Sequence, residues 1–463
     1  MRGRLGAALA ACLLWHALAG CGPDDPAAWE ERAAEALEAG RSDSEALDRA
    51  IHGARRALEL DSTRVAAAHL LARAYRGAGR YEDAAGVYRG LVERRPMDPA
   101  AYVGLGACLA AQGRYNGALR AYQDAVFRGE QTPEVYTGLG HAYQALGHRR
   151  ENLLAAQASY RASLARGQAA PTADLLYHMA RVAARLENNE EALAFYTEAL
   201  TRDPDDRGVR VELAAFMVQT GQRRRAGGVL AEGLERDPAA ADLRYELGRL
   251  LWGDGDAEGA LEQFRLALEA DPSLVLAHRY AGLIHSGRGE YEKALESFAA
   301  VEAQRPDDAP LQVSIGIVLA QRGDLDGAEA RFLRALESGA TAGDAALKLG
   351  GLYVHRNDPA SAARIFRRGL EEKADHAELH ASLGDALRRL GSVGSAIEAG
   401  EEAVRLEPER ALWHFYLALG YERLDPQAAR RVWERYIALA GADPAEAQRL
   451  PQARQRLAAL PER

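Results

Sequence analysis

Small and large apolar residues return along nearly the whole chain at helical spacing. Alanines stand at Ala50, Ala84 and Ala118, then at Ala192, Ala226, Ala260, Ala294, Ala328, Ala362 and Ala396, with a step of 34 residues inside each run. Four residues after most of them comes Tyr88, Tyr122, Tyr196, Leu230, Phe264, Phe298, Phe332 or Phe366, so the small and the large residue share one helix face. Five residues before most of them comes Gly79, Gly113, Gly221, Gly255, Gly289, Gly323 or Gly391, and once Asn357. Gly and Asn both tolerate the left-handed backbone that ends a helix. Twelve residues after several alanines comes Pro96, Pro204, Pro238, Pro272, Pro306 or Pro408, which stops one helix and opens the next unit. Each period therefore predicts a helix, a glycine turn, a second helix and a proline turn. The first helix of the pair repeats Leu-Gly at Leu105-Gly106, Leu139-Gly140, Leu247-Gly248, Leu349-Gly350 and Leu383-Gly384, and a tyrosine at Tyr75, Tyr143, Tyr353 and Tyr421.

Units begin near residues 31, 65, 99, 133, 173, 207, 241, 275, 309, 343, 377 and 411. The fourth, 133–172, is irregular: Ala156 follows Gly147 by nine residues instead of five, and Pro171 arrives late. A longer turn is expected there. After Pro444, Ala445 to Leu460 predicts a last helix with a kink or break at Pro451, serving as a polar cap for the array.

The order large residue, Leu-Gly, Tyr, Gly, Ala, Phe, Ala, Pro resembles the tetratricopeptide repeat (TPR), over residues 31–444. The resemblance implies an all-α fold, a right-handed superhelical solenoid of about twelve helix-turn-helix repeats, with first helices lining an inner groove that binds a protein or peptide. In the family the groove positions are the second, fifth, ninth and twelfth of each unit. Here they include His69, Arg73, Arg76, His141, Gln144, Tyr177, Arg181, Tyr245, Arg249, Trp252 and Arg279. Arginine forks suit carboxylates, and Tyr and Trp are favoured anchors. Further along, Val313, Ile317, Leu347, Val354, Phe415 and Leu419 make the same positions apolar. Two readings stand: the arginines receive an acidic or C-terminal peptide segment, or they pair with acids of neighbouring units. A clamp of Lys and Asn for chaperone carboxy-termini, known in the family, is not carried over, because these positions hold other residues.

The amino terminus reads differently. Arg2 and Arg4 precede an apolar stretch, Leu5 to Leu18, too short to span a bilayer comfortably. It ends in Leu18-Ala19-Gly20-Cys21, which resembles a bacterial lipobox and implies lipidation on Cys21. The expected organisation is a lipoprotein signal peptide at 1–20, a lipid-anchored tether at 21–30, the array at 31–444 and a C-terminal capping helix at 445–463. Gly22, not aspartate, follows the cysteine, which favours the periplasmic face of the outer membrane or the cell surface over the inner membrane.

Composition narrows the chemistry. With 58 Lys plus Arg against 67 Asp plus Glu, and no basic block, nucleic acid is not the expected partner. Cys12, Cys21 and Cys108 form no CxxC pair, which speaks against structural zinc. Cys108 reads as a small packing residue, and His376 and His380, one helical turn apart, as a surface pair. No phosphate loop, dinucleotide fingerprint, nucleophile elbow or HExxH occurs. The reading is a non-enzymatic, membrane-anchored interaction scaffold of the cell envelope, without cofactor, metal or small-molecule substrate. Its alternative is a non-catalytic accessory subunit of a membrane enzyme complex.

Overall fold

The computed structural model describes residues 25–40, 43–147, 149–167, 169–441 and 443–461; the signal segment 1–20 and Cys21 lie outside them. Among the described residues there is no strand, and no helix is long and apolar enough to cross a membrane. The chain divides after Arg236 into two compact units. The first holds α1 (Pro26–Ala39), α2 (Ser44–Leu60), α3 (Val65–Gly77), α4 (Tyr81–Arg94), α5 (Pro99–Ala111), α6 (Tyr115–Phe127), α7 (Pro133–Ala145), α8 (Arg150–Arg166), α9 (Ala173–Arg185), α10 (Asn189–Arg202), α11 (Arg207–Gln219) and α12 (Arg223–Arg236). The second holds α13 (Ala241–Gly253), α14 (Ala257–Ala270), α15 (Val275–Gly287), α16 (Tyr291–Gln304), α17 (Ala309–Arg322), α18 (Leu325–Leu336), α19 (Ala342–His355), α20 (Pro359–Glu372), α21 (Ala377–Arg389), α22 (Val393–Leu406), α23 (Ala411–Tyr421), α24 (Pro426–Ala440) and α25 (Leu450–Ala459). Odd-numbered helices up to α23 are the first of a pair, even-numbered ones the second. In each unit a helix packs on its partner and on the next pair, as in a solenoid.

The repeated residues act through steric fit. A Cβ added at Gly248 would lie 2.7 Å from the Phe264 ring, at Gly282 2.4 Å from Phe298, at Gly316 2.6 Å from Phe332 and at Gly350 2.2 Å from Phe366. The ring of each second helix thus occupies the notch left by the glycine sixteen residues earlier. Phe264 and Phe298 are fully buried, each worth about 1.5–3 kcal/mol of apolar burial. In the fourth repeat the partner of Gly140 is Tyr160, twenty residues on, which preserves the same contact across the insertion. In the first unit, Tyr122 also fills the space over Gly138 of the next repeat, joining two pairs through one ring. Gly384 meets no ring: the backbone of α22 itself approaches it, with the Ala396 carbonyl 3.0 Å from an added Cβ.

The turns follow the same logic. All seven turn glycines have positive φ, and Asn357 joins them at 59°. The fifth repeat puts Glu187 there, at φ 63°, a left-handed conformation costly for a residue with a Cβ. The proline turns are closed by a side chain at the fourth position of the following helix. Arg210 donates to the Pro204 carbonyl, Arg244 to Pro238, His278 to Pro272, His380 to Ala374 and His414 to Pro408. The tyrosine of the first helix reaches back to the preceding pair: Arg55 donates to Tyr75 at 2.7 Å and Gln123 to Tyr143 at 3.1 Å, while Tyr353 and Tyr421 donate to Glu329 and Glu401.

Three local expectations change. α1 starts at Pro26, so helix occupies part of the 21–30 stretch read as a tether; Asp25 caps its first turn. In the fourth repeat much of the insertion lengthens α8 to 17 residues, against 13 in α6, and the rest forms the connection to α9. At the carboxyl end a 3-10 turn, Pro444–Glu446, precedes α25, and Pro451 sits in its first turn. A proline there interrupts no helical hydrogen bond, so the break falls before it.

Candidate functional site

Most groove residues already have partners in the fold. His69 Nε2 lies 2.8 Å from Asp98, the N-cap of α5, and Arg279 pairs with Asp308, the N-cap of α17. These two pairs are equivalent, each linking a fifth position to the cap of the next repeat. Tyr177 donates to Glu212 at 2.7 Å, and Arg181 holds the same carboxylate at 3.4 Å while lying over the Tyr177 ring. Arg249 pairs within its own helix with Glu246 at 2.8 Å; burial raises the Glu246 carboxyl against the opposing pull of Arg249. Tyr245 is buried against Phe264 and Tyr280, whereas Trp252 keeps 40% of its surface exposed and packs edge-on to Tyr280. For Arg181, Arg249 and Arg279, pairing with acids is what the structure contains.

Arg73 and Arg76 differ. Both are exposed on α3, and among the described residues neither makes a hydrogen bond or an ion pair. Their charge is felt by Tyr88, and that of Arg76 also by Cys108 and Tyr122. Cys108 itself is fully buried, and burial pushes its thiol up, which suits a packing residue and not a nucleophile.

His141 and Gln144 belong to a separate arrangement on α7. The His141 ring lies 4.3 Å from that of His178 on α9, with Asp174 one turn before His178. Gln144 is buried and its carbonyl accepts from Tyr160 Oη at 2.8 Å and stands 3.0 Å from His178 Nδ1. His141 Nε2 is buried without a hydrogen-bond partner. Burial holds His141 below the ordinary imidazole range; burial and the neighbouring His141 pull His178 down to about 4. The cleft beside them, about 370 Å³, is lined by Tyr115, Arg181 and Arg185 as well. Sequence reading missed His178 because it stands at the sixth position of its unit, outside the second, fifth, ninth and twelfth: the ninth-position equivalent of His141 is Arg181, and His178 lies one turn earlier. Only the Asp174/His178 spacing of four was legible. His376 and His380 do not form a site: His380 is committed to the Ala374 carbonyl, and His376 stands at the N-cap position of α21 without a side-chain capping bond.

Profiles described as Tetratricopeptide repeat match residues 69–134, 138–207, 218–275, 280–345 and 347–411, and a second of the same description matches 183–238. The chain belongs to the tetratricopeptide repeat family. Repeats of this family are generally non-catalytic and bind protein or peptide partners, which makes the chain a protein-interaction scaffold. A comparison with curated proteins returns no match. Among solved structures, the Cut9–Hcn1 hetero-tetramer of the APC/C is similar at 16% identity over 92% of this chain and 96% of that one, TM-score 0.39. YrrB, described as a TPR protein with an unusual peptide-binding site, is 24% identical over 42% of this chain and 96% of its own, TM-score 0.34. PilF of Pseudomonas aeruginosa is 19% identical over 46% and 96%, TM-score 0.39. The family assignment rests on the repeat profiles, not on these superpositions.

Proposed function

We propose that this TPR scaffold is anchored to a bacterial envelope membrane through a lipid on Cys21 and captures a partner protein by an acidic segment at Arg73 and Arg76. The observation that carries the docking reading is the contrast among arginines. Arg181, Arg249 and Arg279 are neutralised by Glu212, Glu246 and Asp308, whereas Arg73 and Arg76 present unpaired guanidinium groups one helical turn apart on the same exposed face. Bidentate arginine suits carboxylates, and a guanidinium without an acid partner takes an incoming carboxylate with no pair to give up first. The sequence Leu18-Ala19-Gly20-Cys21 supports the anchor, and Gly22 after the cysteine favours the periplasmic face of the outer membrane or the cell surface.

The test is crosslinking in native membranes, followed by mass spectrometry of the captured protein. Reversal of Arg73 and Arg76 to Glu is expected to abolish capture, while R181E with R249E lowers stability more than capture. Undiminished capture by the first variant refutes docking at α3. Cys21→Ser is expected to move the protein out of the membrane fraction; retention there refutes the anchor.

A further inference from the structure

His141, Asp174 and His178 offer three ligand atoms that all lie within 4.8 Å of one another. The His178 Nε2 to Asp174 Oδ1 distance is 3.5 Å. A tetrahedral ion with bonds of about 2.0–2.1 Å needs ligand atoms about 3.4 Å apart. One edge is therefore already of about the right length, and the other two are no longer than 4.8 Å. The three residues stand on the first helices of adjacent repeats, α7 and α9, so the backbone that holds them is the packed part of the first unit and not a loop.

The hydrogen bonds around the cluster settle which nitrogen is available. The Gln144 carbonyl accepts from Tyr160 Oη and faces His178 Nδ1, so Nδ1 is the protonated nitrogen and Nε2 keeps its lone pair. That lone pair faces the Asp174 carboxylate, and the neighbouring His141 ring carries a buried Nε2 without a hydrogen-bond partner. Two imidazoles and a carboxylate thus converge, and the nitrogen that His178 turns towards the carboxylate is an acceptor. A buried nitrogen without a hydrogen bond destabilises the fold, and a cation shared by the three groups relieves that. A carbonyl fixing the second nitrogen of a ligating histidine is the usual outer shell of a metal site. Tyr160 in turn orients Gln144, and Tyr160 is the ring that fills the notch at Gly140. The repeat's own packing contact therefore sets the tautomer.

We propose that His141 and His178, with Asp174, bind one divalent transition-metal ion, zinc being the best match, in the first unit of the scaffold. Two imidazoles and a carboxylate suit zinc and its first-row neighbours, whereas magnesium and calcium prefer oxygen ligands throughout. The two histidines line the 370 Å³ cleft together with Arg181 and Arg185, and the fourth position opens there. Arg181 is tied to Glu212, which lowers its repulsion of a cation. Water or an anionic group fits that position. The inference is independent of docking at Arg73 and Arg76, which lie on α3.

The experiment uses the full chain, without a histidine tag and stripped with a chelator. Zinc is titrated by calorimetry, and cobalt is added in parallel to report tetrahedral coordination by its visible absorption. One ion per chain is expected. His141→Ala and His178→Ala should abolish that binding, and Asp174→Asn should weaken it by about 10–100-fold, in the range of metal-site losses. Asp174 is 69% exposed, so D174N keeps the fold, and thermal melts in chelator check all three variants. The absence of a one-to-one zinc complex overturns the site. So does unchanged affinity in either histidine variant or in D174N.

Discussion

Two adjacent glycines in the middle of α19 give opposite predictions. Gly350 and Gly351 both lie inside the helix Ala342–His355, so replacing either with alanine removes the same backbone penalty of about 1 kcal/mol. Their surroundings differ. A Cβ on Gly351 meets nothing within 4 Å, whereas one on Gly350 would stand 2.2, 2.5 and 2.7 Å from three atoms of the Phe366 ring. Phe366 is 2% exposed and lies within the packed core of the second unit. Overpacking of that kind costs about 1–3 kcal/mol. Gly351→Ala is therefore expected to stabilise by about 0.5–1 kcal/mol. Gly350→Ala is expected to end about 0–2 kcal/mol less stable than the parent, its packing cost set against the same propensity gain. The difference between the two variants, about 1–3 kcal/mol, is free of helix propensity and reports the glycine–ring notch alone. Urea denaturation followed by circular dichroism gives the midpoints. Hydrogen exchange in α19 and α20 gives the local stability, which matters because a repeat array need not unfold as one unit. Equal stabilisation by both substitutions would refute the account of why Leu-Gly recurs in these repeats.

Three further outcomes are expected. Glu187→Gly relieves a left-handed residue at φ 63° and should raise stability by up to about 1 kcal/mol, read as a higher melting temperature; Glu187→Ala, which keeps a Cβ, should not. Trp433→Ala empties the fully buried centre of the last pair, where the ring meets Phe415 and Tyr436, and should cost about 3–5 kcal/mol, concentrated by hydrogen exchange in α23 to α25. Asp308→Ala removes both the cap of α17 and the partner of half-buried Arg279, and should lower the urea midpoint more than Asp206→Ala at the N-cap of α11, where the cap contribution is about 1 kcal/mol.

Much of the fold was legible because each repeat contacts only its neighbours. The spacing of Ala, Gly, the ring residue and Pro is then a local constraint that returns with the unit and survives averaging along the chain. The glycine positions illustrate this: Gly79 to Gly391 were read as left-handed turns, and their φ values are positive. The turn at Glu187 was not legible, since a residue with a Cβ occupies it and only the surrounding packing holds it there.

The candidate site divides along the same line. Family positions pick out His69, Arg181, Arg249 and Arg279, but position says nothing about whether a guanidinium is free. That depends on acids such as Asp308, 29 residues away, or Glu212, 31 residues away, brought close by stacking. Likewise His141 and His178 meet because a ninth position faces the sixth of the next repeat, as Arg181 faces Glu212, a contact made between helices and not within one. By itself the sequence determined the helix pairs, their turns and their interlocking faces, because these rest on contacts within a repeat or between adjacent ones. Tertiary structure alone decided which charges pair between repeats, as Arg279 with Asp308, and that His141 comes to His178, because those distances depend on how helices stack, whereas a pair within one helix, such as Glu246 with Arg249, is set by spacing.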